Sequence, residues 1–333
     1  KNAIMNIDNS IIHNNTATYD GGGIYMKYAN VTIYNTTIDN NQAGDDGGGM
    51  HIEESDVTMK YTTFTANKPH DDGGGIYMKY AVAIIENTKI YDNQAGDDGG
   101  GMYVQYGNVT IKNTNFTGNN ADDGGGMYIR YSDVTMTYTT FTANQAGDDG
   151  SGMRIWSSDV TMTYTTFTAN NASDDGGGMR IYASDVTMTY TNFTANKASD
   201  DGGGMDIVDS NVTIKNTTFT GNKASDSGGG MAIYDSPVTL RQTSFIDNDA
   251  TNNGDDIYAK KEPTISLINT YFNNPNNIYE DTSYGGTPTW KTCETNNSPC
   301  DDGETCTNKT DGKSVKCLPT PTPVTPTCEI KIE

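Results

Sequence analysis

The chain has 333 residues and a net charge of −22 at pH 7, with 43 acidic side chains against 21 basic ones. That balance argues against nucleic acid and anionic membrane surfaces as partners. No apolar run approaches a membrane span, so no membrane insertion is expected, and the length suits one elongated domain with an appendage.

The chain begins at Lys1 inside a strand-like pattern, AIMNIDNSII, with no initiator Met and no leader peptide. This reads as a processed or partial form whose first coil is uncapped. From residue 20 onward one word recurs: an aspartate pair, a glycine triplet, then Met or Ile, as in Asp200-Asp201-Gly202-Gly203-Gly204-Met205. The triplets begin at 21, 47, 73, 99, 124, 150, 176, 202 and 228, every 26 residues apart from one interval of 25, and Gly150-Ser151-Gly152 is the one imperfect copy. A period this regular specifies a solenoid in which each unit packs only on its neighbours.

With the first glycine of a unit as slot 0, slot 3 holds Met or Ile (Met127, Met153, Met179), slot 12 holds Met, Ile or Leu (Met136, Met162, Leu240) and slot 17 holds Phe or Ile (Phe141, Phe167, Phe193). Apolar and polar residues alternate around each, which predicts three short strands per unit with one face buried. Gly, Asn, Asp and Ser fill the turns between them. Slot 20 is Asn in ten consecutive units, from Asn15 and Asn41 to Asn222 and Asn248. Amides stacked at the inter-strand spacing can bond to one another, so this column predicts an asparagine ladder along the axis. The fold expected is all-β: a parallel β-helix of about eleven coils over residues 1–272.

The words FTAN or FTGN followed by DDGGGM or DDGGGI resemble the FxxN and GGx(I/M/L) repeats of the polymorphic outer membrane protein family and related β-helix surface proteins. The resemblance covers about residues 1–255. It implies a right-handed helix and a secreted or surface-displayed protein, many family members being adhesin-like. It also departs from those members that end in a membrane barrel, since no such segment is read here.

Slots 24 and 25 form two acidic columns. One is Asp45, Asp71, Asp97, Asp122, Asp148, Asp174, Asp200 and Asp226; the other is Asp20, Asp46, Asp72, Asp98, Asp123, Asp149, Asp175 and Asp201. Without these sixteen the net charge would be −6. As corner residues, Asp and Gly serve tight turns. As a column of like charges about 4.8 Å apart, they repel by about 0.9 kcal/mol per neighbour even in water. A hard cation, above all Ca²⁺, would relieve that, although no cofactor is required by the fold.

Nothing assembles a nucleophile, a base and an oxyanion donor, and every Asp pair has copies above and below it, so a polysaccharide-active enzyme is not expected. His13, His51 and His70 occupy different slots, and cationic residues at slots 4, 6 and 13, Arg154 and Arg180 among them, read as solvated strand faces. Thr63/Thr65, Thr140/Thr142 and Thr166/Thr168 give outward T-x-T strands, but Asn115, Lys89 and Asn192 interrupt the array an ice-binding face would need. Sequons at Asn14, Asn30, Asn35, Asn108, Asn115, Asn171, Asn192, Asn211, Asn216, Asn296 and Asn308 mark sites for N-glycans, several sharing a slot and so a face.

The chain changes character beyond the solenoid. Residues 273–292 read as a connector. Residues 293–318 hold Cys293, Cys300, Cys306 and Cys317, which with Cys328 are all the cysteines of the chain and predict a disulfide module in an oxidising, extracellular setting. Residues 319–327 read as a Pro/Thr stalk, and 328–333, CEIKIE, as a terminal strand. An uncapped coil at one end and a tethered strand at the other suggest self-association head to tail into a filament. The expectation is an extracellular, glycosylated structural protein, a fibre subunit, with a monomeric surface adhesin as the alternative.

Overall fold

The computed structural model describes residues 3–273, 277–282, 289–292, 305–306, 316–317 and 327–329. They form a parallel β-helix with four strands per coil rather than three. In one coil these are Met127–Arg130, Asp133–Thr137, Thr140–Thr142 and the two-residue Gln145–Ala146. Each pairs in parallel with its equivalent one unit on: Met127 with Met153, Val134 with Val160, Phe141 with Phe167. Among the described residues the rows make one sheet of twelve strands and two of eleven, the two-residue strands forming shorter sheets.

Single left-handed residues turn the corners. In the same coil these are Tyr131, Tyr138, Ala143 and Gly150, at φ of 50°, 53°, 53° and 59°. The glycine triplet divides its labour. A Cβ on Gly176, itself at φ 65°, would lie 2.5 Å from the Met179 carbonyl oxygen, and one on Gly178 would lie 2.4 Å from that of Gly204 in the next coil. The first glycine serves the turn; the last lets coil approach coil.

The strand residues at slots 3, 5, 10, 12 and 17 fill one continuous core. Its spine is a column of fully buried phenylalanines whose rings stack 4.7–5.1 Å apart from Phe116 to Phe272. Beside it the asparagine ladder runs as expected. Asn170 Oδ1 accepts from both the backbone N–H (3.0 Å) and the side-chain amide (3.0 Å) of Asn144, while Asn170 Nδ2 donates to Asn196 Oδ1 (2.9 Å) and to the Phe141 carbonyl (3.1 Å).

The one 25-residue coil keeps every strand in register. Met102 still meets Met127 and Ala121 still meets Ala146, so the missing residue falls in the turn between Ala121 and Asp122. The segment read as a connector continues the helix: Ile278–Asp281 pairs with Ile257–Lys260, and Thr289–Thr292 pairs with the strand beginning at Thr264. Of the terminal strand, Cys328 and Glu329 fall among the described residues and 330–333 lie outside them. Thr327–Glu329 pairs in parallel with Thr305–Cys306 and antiparallel with Lys316–Cys317. Cys293 and Cys300 lie outside the described residues, as do Asn296 and Asn308.

Candidate functional site

The acidic corner resolves into two different columns. The first aspartate of each pair (Asp45, Asp71, Asp97, Asp122, Asp148, Asp174, Asp200, Asp226) faces solvent wholly or in part. The second turns inward under the neighbouring strand, and its Oδ1 accepts the backbone N–H of the equivalent residue one coil on. Asp20 accepts from Asp46 (3.3 Å), Asp46 from Asp72 (3.2 Å), Asp72 from Asp98 (3.0 Å), Asp123 from Asp149 (3.1 Å), Asp149 from Asp175 (3.2 Å), Asp175 from Asp201 (2.9 Å) and Asp201 from Ser227 (2.8 Å). The ladder breaks only at the short coil, where Asp123 N–H donates to the Asp97 carbonyl instead (3.3 Å). Turn geometry therefore accounts for this column without a ligand.

The lid over it is slot 4: Tyr25, His51, Tyr77, Tyr103, Tyr128, Arg154, Arg180 and Asp206. Strand alternation points slot 4 away from the core, but the Asp-Gly corner folds back over that side and covers it. Tyr77, Tyr103 and Tyr128 make a second, small buried cluster, with Tyr77 and Tyr103 stacked at 5.2 Å. The reading of Arg154 and Arg180 as solvated is corrected by the same geometry. Arg154 pairs with Asp123 and with Asp149 (3.1 Å); Arg180 pairs with Asp149, with Asp175 (2.9 Å) and with Asp206 (3.2 Å). Asp206 has no solvent exposure, and burial pushes its carboxyl well above the usual range.

The buried carboxyls also carry part of the cost as protons. Burial, helped in Asp72 and Asp98 chiefly by the Asp one coil before, raises Asp46 to about 6, Asp72 to about 7 and Asp98 to about 8. Each folded value lies above that of the unfolded chain, about 3.9. The unfolded chain thus ionises first, and stability is greatest below about pH 4 and declines until pH passes the folded values. Urea unfolding should therefore give a higher midpoint at pH 4.5 than at pH 8. Asp98→Asn should flatten that slope by on the order of 2–4 kcal/mol; a slope identical in wild type and variant would refute the assignment.

One further ladder and one buried polar column went unread in the sequence. Ser158 Oγ accepts the backbone N–H of Ser132, Ser184 that of Ser158, Ser210 that of Ser184 and Ser236 that of Ser210, at 3.0–3.1 Å. A buried threonine column runs beside them at slot 15, from Thr36 to Thr270. Their signal was a small polar residue repeated at one slot. Over the serine corner lies a shallow groove of about 770 Å³, from Tyr131 to Pro237, edged by Asp133, Asp159 and Asp185. Tyrosines stack on the outside, Tyr80–Tyr106–Tyr131 and Tyr138–Tyr164–Tyr190, at 4.9–5.1 Å. Of the described sequon residues, Asn14, Asn30, Asn35, Asn108, Asn115, Asn171, Asn192 and Asn211 are exposed and Asn216 is half-buried. His13 and His70 are exposed; His51 is buried, and burial lowers its imidazole against the pull of Asp20.

No curated protein matches the sequence. Among solved structures, tailspike protein 3 of bacteriophage CBA120 is 10% identical over 80% of this chain and 57% of its own, with a TM-score of 0.32. This chain thus spans little more than half the length of that tailspike. A TibA fragment hyper-glycosylated by TibC is 16% identical over 86% of this chain and 97% of its own, with a TM-score of 0.21. The sequence also matches the family described as right handed beta helix region over residues 1–93 and 70–211. Those residues lie in the stacked, in-register coils described above, and the chain belongs to the right-handed β-helix family.

Proposed function

We propose that the protein is an extracellular structural protein, a rod-shaped subunit that stacks head to tail into a glycosylated surface fibre, and that it is not an enzyme. The observation that carries this reading is the in-register stack of coils around one continuous core, which presents the same row of backbone groups at every rung. A second copy of the chain can continue such a stack. The FxxN and GGx(I/M/L) resemblance to surface proteins, the cysteine-rich segment and the exposed sequons support an extracellular, glycan-bearing form. With Thr327–Glu329 paired inside its own chain, stacking runs through coil ends rather than through a donated strand. The outer aspartate column is where Ca²⁺ would strengthen such a fibre.

Electron microscopy of the full chain tests this. Filaments with an axial repeat of about 50 Å, eleven strands at roughly 4.8 Å, are expected. Dissolution by a calcium chelator would tie the outer column to the ion. Isolated rods under all conditions would sink the fibre reading. They would favour a monomeric adhesin, for which the exposed tyrosine stacks offer faces to receptor or glycan.

A further inference from the structure

One position in the lid over the acidic column breaks the pattern chemically. His51 stands where the coils on either side carry Tyr25 and Tyr77, and it brings the one imidazole in that column to a pair of inward carboxylates. A ligand atom from each of Asp20, Asp46 and His51 lies within 4.8 Å of the other two. His51 is only 5% exposed, and its Nδ1 has no hydrogen-bond partner. That nitrogen faces Asp20 Oδ1 at 3.7 Å, too far for a hydrogen bond and near enough to share an ion. The ring is clamped in this pose between Tyr77, stacked at 4.7 Å, and Tyr25 at 5.1 Å.

We propose that Asp20, Asp46 and His51 bind one divalent transition ion of the zinc class. An orphaned nitrogen in a buried pocket costs free energy unless something occupies its lone pair or takes its proton. Two carboxylates beside it supply the charge that a dication needs. One nitrogen and two oxygens suit a borderline ion such as Zn²⁺, whereas Ca²⁺ takes oxygen ligands alone. Bonds of about 2.0–2.2 Å put ligand atoms about 3.3 Å apart, so side-chain rotations of roughly an ångström close the site around an ion, with water completing the shell. The other acidic clusters, Asp149 with Asp174 and Asp175, and Asp200 with Asp201 and Asp226, contain no nitrogen ligand, and Arg180 already neutralises the first of them.

The test is titration of the purified full chain with Co²⁺ alone, read by its visible d–d absorption. His51→Tyr copies the neighbouring coils and so preserves the lid. Asp20→Asn keeps an amide oxygen to accept the Asp46 N–H. The readout is the difference between wild type and variant, because the cysteines, His13 and His70 are common to all three chains. One Co²⁺ per chain should bind in wild type that each variant holds roughly tenfold or more weakly. Zn²⁺ should displace it, and Ca²⁺ in large excess should not. Difference spectra showing no Co²⁺ lost in His51→Tyr would overturn the site and leave His51 as a packing residue. Displacement by Ca²⁺ would overturn the zinc-class assignment. Either result is independent of whether filaments form.

Discussion

Replacing Arg180 by Met destabilises the protein by about 3–5 kcal/mol at pH 7, the range expected when one partner of a buried ion cluster is removed. The guanidinium stands among Asp149, Asp175 and the fully buried Asp206. Arg154 still reaches Asp149 in the variant, but Asp175 and Asp206 lose their pairing cation. Burial already holds Asp175 at about 7 in the presence of the arginine, and the variant raises it further. The sign follows from that. Folded values above the unfolded value near 3.9 mean that the penalty is smallest near pH 4, where the carboxyls are protonated in both states, and grows as pH rises. Urea unfolding at pH 4.5 and pH 7.5 measures it. Adding Asp206→Ala, which copies Ala232 of the next coil, should return part of the loss at pH 7.5. An equal loss at both pH values would mean that Arg180 acts by packing and not by charge.

Asn170→Ala should cost a similar amount, about 3–5 kcal/mol, by a different route. It deletes four hydrogen bonds, among them the acceptor of the buried backbone N–H of Asn144. Each buried polar group left unpaired costs about 1–3 kcal/mol. The neighbouring Asn171 supplies the control, since it is exposed and belongs to a sequon rather than to the ladder. Asn171→Gln should change stability by less than about 0.5 kcal/mol. Two adjacent asparagines with the same substitution cost would refute the ladder as a stabilising element. Hydrogen exchange gives the local view: the amide of Asn144 should lose protection in Asn170→Ala while amides several coils away keep theirs.

The contrast between Asn170 and Asn171 also marks how far the sequence could be read. Period, buried slots and the asparagine column were legible because each is one residue type at one spacing. The serine and threonine columns were not, although the threonine column is as regular and the serine column is broken only by Ala29, Ala81 and Gly107. Alternation classes a small polar residue as outward, and only a corner that folds inward buries it and makes a serine the acceptor for the preceding coil. Arg154 and Arg180 were misplaced for the same reason. Period-two patterning says which side of a strand faces the core, and is silent on whether the other side meets water or the chain's own turn. The paired aspartates looked equivalent in sequence, yet one meets solvent and the other a backbone N–H. Tyrosine at left-handed corners, as at Tyr131 and Tyr138, was equally hidden, since stacking on an adjacent coil offsets a conformation that a lone tyrosine disfavours.

The register of the coils has a further consequence for how such a chain changes over generations. Every joint between coils is made by the same slots, so a join from Asp149 directly to Gly176 would put Arg180 where Arg154 stood and leave every ladder continuous. The product would be shorter by one rung, about 4.8 Å, and otherwise the same object. Unequal crossing between near-identical repeats makes such products without passing through a misfolded intermediate form. Reach is thus a quantity that selection can adjust in steps, independently of the chemistry of any face, as a ladder is cut to height without redesigning its rungs.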